Sequence, residues 1–168
     1  TKAKVVEVIS SEGEILEDAP KIRASKHKAW VNIMFGCDEF CTYCIVPYTR
    51  GRERSRAKDD IINEVKELVK EGYQEVTLLG QNVNAYGKDL GSDYTFGDLL
   101  YDLDKTGIKR IRYTTSHPRD LDEKTMLAMR DCKSVMPHLH LPVQSGDNEI
   151  LRKMNRKYTY EEYMSKIN

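Results

Sequence analysis

Gly36-Cys37-Asp38-Glu39-Phe40-Cys41-Thr42-Tyr43-Cys44 places three of the chain's four cysteines in one short loop. Three residues separate Cys37 from Cys41 and two separate Cys41 from Cys44, so a tight loop can aim all three sulfurs at one point. A disulfide would pair two of them and strand the third. Thiolates at this density suit zinc or iron-sulfur centres. A closed structural zinc site takes four ligands, usually as two separated pairs, and no second Cys-x-x-Cys follows downstream. The fourth cysteine, Cys132, falls far away at the end of an expected helix and reads as a small buried apolar residue. Three thiolates on a cluster of four irons would leave one iron open to an outside ligand, an arrangement suited to chemistry more than to architecture. A zinc-stabilised loop completed by a distant histidine is the alternative.

Outward from this loop, the chain alternates short apolar runs with helical ones. Trp30 to Met34 reads as a first strand that ends just before the cysteines. A helix follows over about Asp59 to Glu71, with Ile61, Ile62, Val65, Leu68 and Val69 on one face, acids at its start and Gly72 at its end. Glu75 to Leu79 is the second strand, closed by Gly80-Gln81-Asn82. After a glycine-rich loop, Thr95 can cap a helix with the stripe Phe96, Leu99, Leu100 and Leu103, which Gly107 stops. Arg110 to Thr114 forms the third strand, leading to Ser116-His117-Pro118-Arg119, and Asp120 with Glu123 has the spacing of a capping box before Met126, Leu127 and Met129. His138 to Pro142 reads as strand four, followed by Val143-Gln144-Ser145-Gly146 and a last stripe at Ile150, Leu151 and Met154.

Four strand–helix units in series predict an α/β fold with a parallel sheet and right-handed crossovers. In such folds the working groups lie at the carboxyl ends of the strands. The cysteine loop, Gly80-Gln81-Asn82, Ser116-His117 and Gln144-Ser145-Gly146 all fall at such ends.

With 168 residues the chain can build one core. Lys plus Arg and Asp plus Glu number 27 each, so any basic surface for nucleic acid must be local. Nothing in the sequence suggests a membrane span or a secretory signal. Clustered thiols meant for a metal imply a reducing compartment, hence the cytoplasm. Thr1 is not an initiator methionine, and the helical spacing of Tyr160, Tyr163, Met164 and Ile167 runs straight to the end, as in a piece of a longer protein.

Cys-x-x-x-Cys-x-x-Cys with Tyr43 before the last cysteine resembles the signature of the radical S-adenosylmethionine (SAM) enzymes. Met34-Phe35-Gly36-Cys37 and the run from Cys44-Ile45-Val46-Pro47 to Arg56 are similar to the methylthiotransferases, and Leu79-Gly80-Gln81-Asn82-Val83-Asn84-Ala85-Tyr86-Gly87 to the branch acting on transfer RNA, the MiaB family. The resemblance implies a partial TIM-like (β/α) barrel of six units, of which this chain holds about four. Residues 1–30 would be a linker with one short strand, around Val5 to Ile9, from a missing upstream methylthiotransferase domain. That domain carries three further cysteines and a second 4Fe-4S cluster in the family. Residues 31–168 would be an incomplete radical SAM domain, whose missing strands leave an unpaired edge. A downstream RNA-binding domain would likewise lie outside this sequence.

The implied activity adds a methylthio group to carbon 2 of a prenylated adenosine beside the tRNA anticodon, with electrons from a donor such as flavodoxin. Cys37, Cys41 and Cys44 would ligate a 4Fe-4S cluster whose free iron takes SAM; an electron then cleaves SAM, and the resulting 5′-deoxyadenosyl radical abstracts a substrate hydrogen. Tyr43 matches a position near the adenine, and Gly80, Gln81, Asn82, Ser116 and Gln144 would contact SAM. Gly80-Gln81-Asn82 departs from the Gly-Gly-Glu common elsewhere in the superfamily. Arg50, Arg52, Arg54, Arg56 and Lys58, beside the reactive loop, would contact RNA phosphates of the anticodon arm. Arg152, Lys153, Arg156 and Lys157 read as a helix's solubilising charges. Rival readings are a relative acting on threonylcarbamoyl-adenosine or a ribosomal protein, and a non-catalytic iron-sulfur or zinc module that binds RNA.

Overall fold

The computed structural model describes Arg23 and residues 25–168, so the short strand expected near Val5 lies outside the described residues. Its strands are β1 (Lys28–Asn32), β2 (Met34–Phe35), β3 (Arg54–Ser55), β4 (Glu75–Leu79) and β5 (Arg110–Tyr113). Its helices are α1 (Val46–Arg50), α2 (Lys58–Lys70), α3 (Phe96–Asp104), α4 (Glu123–Asp131), α5 (Asn148–Lys153) and α6 (Tyr160–Ile167).

β1, β4 and β5 are parallel and adjacent in that order, with Trp30 opposite Thr77 and Thr77 opposite Arg112. Their side chains alternate. Ala29, Val31, Val76, Leu78, Ile111 and Tyr113 are buried on one face, while Trp30 and Arg112 are exposed on the other. The buried face is covered by helices. α2 contributes Ile61, Val65 and Leu68, spaced four and three residues apart on one side, and α3 contributes Phe96, Leu99, Leu100 and Leu103. Each such large apolar side chain contributes about 1.5–3 kcal/mol by leaving water. The capping box expected at Thr95 forms, the hydroxyl accepting from the Asp98 amide while the Asp98 carboxylate accepts from Thr95 N–H at 2.8 Å.

Two expected strands differ. The run Trp30 to Met34 breaks at Ile33, where the backbone changes partners: Ile33 N–H still donates to Leu79 O, but Ile33 O accepts from Arg56 N–H, both at 2.9 Å. Met34–Phe35 then pair antiparallel with Arg54–Ser55, which makes a two-stranded arm of the basic run. His138 to Pro142 is not a strand. Pro137 and Pro142 withhold N–H donors at its two ends. The fourth unit instead touches the sheet earlier, through one parallel bridge from Val135 to Ile111, where Ile111 N–H donates to Ser134 O at 2.7 Å. The sheet therefore shows three units and the start of a fourth.

The capping box expected at Asp120 is also displaced. Asp122 caps α4, its side chain accepting from Thr125 N–H at 2.8 Å, and Asp120 is buried in a 3-10 turn over Pro118–Asp120. Cys132 is buried as expected, and burial pushes its thiol up to about 11. No helix among the described residues is long and apolar enough to cross a membrane.

Candidate metal centre

The cysteine loop begins at Gly36, whose φ of +75° and closeness to the Arg52 and Gly51 carbonyls leave no room for a side chain. A Cβ there would lie 1.9 Å from Arg52 O. Cys37 N–H donates to Gly51 O at 3.1 Å, and Cys44 N–H closes a turn on Cys41 O at 2.9 Å. Asp38 and Glu53 exchange backbone-to-carboxylate bonds of 3.2 and 3.3 Å across the two arms. Cys37 and Cys41 are buried and Cys44 is half-buried. Burial pushes the Cys37 thiol up to about 11, so this thiolate needs a cationic group beside it to form.

The far end of the chain backs the loop. Thr42 donates from its N–H to Met154 O at 3.2 Å and from its hydroxyl to Lys153 O at 3.1 Å. The Asn155 amide donates to Phe40 O at 2.9 Å and to Glu39 O at 3.2 Å. Arg156 Nη1 donates to Cys41 Sγ at 3.3 Å. Phe40 and Asn155 both take left-handed φ values, 48° and 57°, as do Thr115 and Gln144 at the ends of the third and fourth units. Such values in non-glycine residues gather where the backbone is held for a purpose.

Beneath the loop lies a network of buried charge. Glu39 reaches Arg119, which also bonds Asp120 through Nε at 3.1 Å; Asp120 accepts from Asn82 Nδ2 at 2.6 Å and from Lys88. Burial alone would raise the Asp120 carboxyl, but the donors of Lys88, Asn82 and Arg119 outweigh it and hold the group far below the usual carboxylate range. Burial, and then the nearby Asp120, push Glu39 up. His117 Nδ1 accepts from Arg119 N–H at 3.2 Å, and burial together with Arg156 lowers its pKa to about 3, so it is a neutral imidazole. Glu39, His117 and Asp120 bring three ligand-type atoms within 4.8 Å of one another, but Arg119 and Lys88 already neutralise the carboxylates, and the group is a salt-bridge lattice.

Among the described residues that trio is the set of three ligand atoms so closely spaced; the three cysteine sulfurs are not such a set. A single tetrahedral zinc would draw its sulfurs to about 3.8 Å. Three soft donors on one short loop suit a thiolate-held metal group.

Sequence and structure can now be set beside known proteins. The sequence profile described as "Radical SAM superfamily" matches residues 31–168. The chain belongs to the radical SAM superfamily. The chain is 59% identical over 168 residues to the tRNA-2-methylthio-N(6)-dimethylallyladenosine synthase of Staphylococcus epidermidis, covering 99% of this chain and 33% of the relative. The enzyme of the same name from Oceanobacillus iheyensis is 60% identical over 167 residues, covering 99% of this chain and 32% of that protein. This chain thus spans about a third of the length of these relatives. Two solved radical SAM enzymes share the fold. The methyltransferase TsrM from Kitasatospora setae, with cobalamin and a [4Fe-4S] cluster bound, gives a TM-score of 0.63 at 16% identity over 79% of this chain and 26% of its own. The cobalamin-dependent enzyme OxsB, with aqua-cobalamin and SAM bound, gives 0.64 at 13% identity over 83% of this chain and 21% of its own.

Within this radical SAM domain the remaining expected site residues fall as follows. Gly80 packs against Met34, whose Cγ would lie 2.6 Å from a Cβ there. Gln81 Oε1 and Ser116 Oγ are buried polar atoms without a protein partner among the described residues, both at carboxyl ends of the sheet. Asn82 is buried and commits its Nδ2 to Asp120. Gln144 and Tyr43 are exposed, Tyr43 by 54%. Of the basic run, Arg50, Arg52 and Lys58 are exposed; Arg52 also lies 4.9 Å from the Phe40 ring centre and Lys58 4.9 Å from that of Tyr94. Arg54 is half-buried and donates to Arg50 O at 3.3 Å. Arg56 is a correction: it is buried, donates to Asn32 O at 2.5 Å and pairs with Glu64 at 2.9 Å, so it holds the sheet to α2 and cannot meet a phosphate.

Glu39, Arg119, Asp120, Lys88, Asn155 and Arg156 were not singled out from the sequence for this site. Arg156 sits in a run that reads as solubilising charge, and the Asn155-Arg156 pair after a short helix carries no motif that points at a loop more than a hundred residues away.

Proposed function

We propose that this chain is the radical-generating core of a tRNA methylthiotransferase that modifies carbon 2 of a prenylated adenosine beside the anticodon. Identity of 59% and 60% over nearly the whole chain to enzymes of that name carries the reading. It favours the prenylated substrate over threonylcarbamoyl-adenosine or a ribosomal protein. On this reading residues 1–30 are a linker and residues 31–168 part of the radical SAM domain. A second cluster, a flavodoxin-type donor, a tRNA anticodon arm and a cytoplasmic setting belong to the same proposal.

Cys37, Cys41 and Cys44 would hold a 4Fe-4S cluster, and the donor set supports that fit: three free soft sulfurs on one short loop, two of them buried, with the fourth cysteine, Cys132, in another element. When bound, such a cluster supplies the electron that breaks a carbon–sulfur bond of SAM and so starts hydrogen abstraction. The chain's own residues bind and orient. Gln81 and Ser116 offer their free buried oxygens to SAM's polar groups, and Gly80 and Tyr43 would contact SAM as well. Asn82, tied to Asp120, steadies the turn that presents Gln81. Arg50, Arg52 and Lys58 face solvent beside the loop, where RNA phosphates can reach them.

The test is anaerobic reconstitution with iron and sulfide, then electron paramagnetic resonance of the reduced protein with and without SAM. A four-iron signal that changes on adding SAM is expected. One tightly bound zinc with four ligands and no affinity for SAM would overturn the reading.

A further inference from the structure

Arg156 is a buried guanidinium, and a buried charge is costly unless an opposite charge meets it. Its partners are unusual. Nε donates to the Tyr158 hydroxyl at 3.2 Å, the carbon of the fork stands 5.3 Å from that ring's centre, and Nη1 donates to Cys41 Sγ at 3.3 Å. Tyr158 is fixed in turn, its hydroxyl donating to Val143 O at 2.6 Å. Among the described residues the Tyr158 hydroxyl and the Cys41 sulfur accept from Arg156, and no carboxylate lies within ion-pair distance. A guanidinium keeps its charge at any working pH. Its counter-charge must therefore come from the sulfur side, where three thiolates on an iron-sulfur group form an anionic assembly.

We propose that Arg156 is a positioning residue of the cluster site: it fixes the Cys41 sulfur and, as a permanent cation bonded to a ligand, sets the reduction potential of the group held there. The inference rests on the reading that Cys37, Cys41 and Cys44 hold a 4Fe-4S cluster. Reduction adds negative charge to that assembly. A cationic N–H donor on a ligand sulfur stabilises the reduced form more than the oxidised one and raises the potential. Asn155, by holding the Phe40 and Glu39 carbonyls, keeps the loop at the distance this bond requires.

The experiment is a redox titration of the reconstituted protein, without SAM, followed by electron paramagnetic resonance and paired with iron and sulfide analysis. Arg156→Gln keeps a donor but removes the charge. It should lower the ratio of reduced to oxidised cluster about tenfold at the potential where the unsubstituted protein is half reduced, a midpoint lower by about 59 mV for one electron. Arg156→Lys, which keeps the charge without the fork, should fall between the two. A full cluster in Arg156→Gln with an unchanged midpoint overturns the proposal. If Arg156→Gln takes up no cluster, the Lys variant decides: iron uptake with a midpoint below that of the unsubstituted protein supports the proposal, and failure to load or an unchanged midpoint overturns it. Failure of the unsubstituted protein to form any four-iron cluster would instead remove the reading on which the inference stands.

Discussion

Replacing Asp120 with Asn tests the charge lattice under the cysteine loop without changing its shape. The carboxylate is 1% exposed and accepts from Asn82 at 2.6 Å, from Arg119 Nε at 3.1 Å and from Lys88. Lys88 and Arg119 are 52% and 35% exposed, so their ion pairs count at the modest value of solvated ones, about 0.5–1 kcal/mol each. The bond from Asn82 is inside and charge-assisted. The amide that replaces the acceptor turns an N–H against one donor, leaving a buried group unsatisfied at about 1–3 kcal/mol. Asp120→Asn should therefore destabilise the fold by roughly 3 kcal/mol at pH 7, measured by urea unfolding as a lower midpoint at unchanged slope. The pH dependence gives a second check. The Asp120 pKa is depressed in the folded state, so its contribution is complete above the unfolded value of about 3.9 and is lost as the pH falls below that. The gap between the two proteins should narrow steadily as the pH falls below about 4. A difference under about 1 kcal/mol, or a gap that does not change with acidification, would refute the reasoning.

Other substitutions address the site more directly. Gly36→Ala places a methyl on the Arg52 carbonyl and forces a left-handed φ on alanine, so iron bound after reconstitution should fall to a small fraction of normal, by metal analysis, while far-ultraviolet circular dichroism stays close to unchanged. Arg52→Ala should lower the slope of log affinity for tRNA against log salt by about 0.9, and Arg56→Met should leave that slope alone while reducing thermal stability, because one arginine faces solvent and the other is paired inside. His117 is held neutral, with a folded pKa of about 3 against an ordinary value near 6.5. The unfolded chain thus binds more protons below pH 6.5, stability should fall as the pH drops from there toward 3, and His117→Asn should flatten that limb of an unfolding series.

The cysteine loop was legible because its spacing is local: Cys37, Cys41 and Cys44 lie within eight residues of one another, and the succession of short apolar runs and helical stripes reads as the parallel sheet of β1, β4 and β5. What surrounds the cysteines was less so. Arg56 and Arg52 belong to one alternating run, and nothing local tells that the pairing of β2 with β3 turns one inward onto Glu64 and leaves the other outside. Asp120 has the capping-box spacing to Glu123, but the tertiary demand of Asn82, Lys88 and Arg119 holds its carboxylate elsewhere, and Asp122 caps α4 instead. His138 to Pro142 alternates like a strand. Strand formation, however, depends on free N–H groups and a neighbour, which that segment's prolines and its contact from His140 Nδ1 to the Thr115 amide do not supply.

The backing of the cysteine loop by Lys153 to Arg156 also fixes when the loop can mature. Its hydrogen bonds join residues 111 to 116 positions apart, so the chain pays the entropy of closing a very long circuit before they form. On a ribosome, the cysteines emerge long before their support does. Until residue 156 has left the exit tunnel, the three thiols ride on a loop with one wall, open to oxidants and stray metals. If these thiols hold the proposed cluster, its loading would be a late event, confined to a chain already folded around the loop.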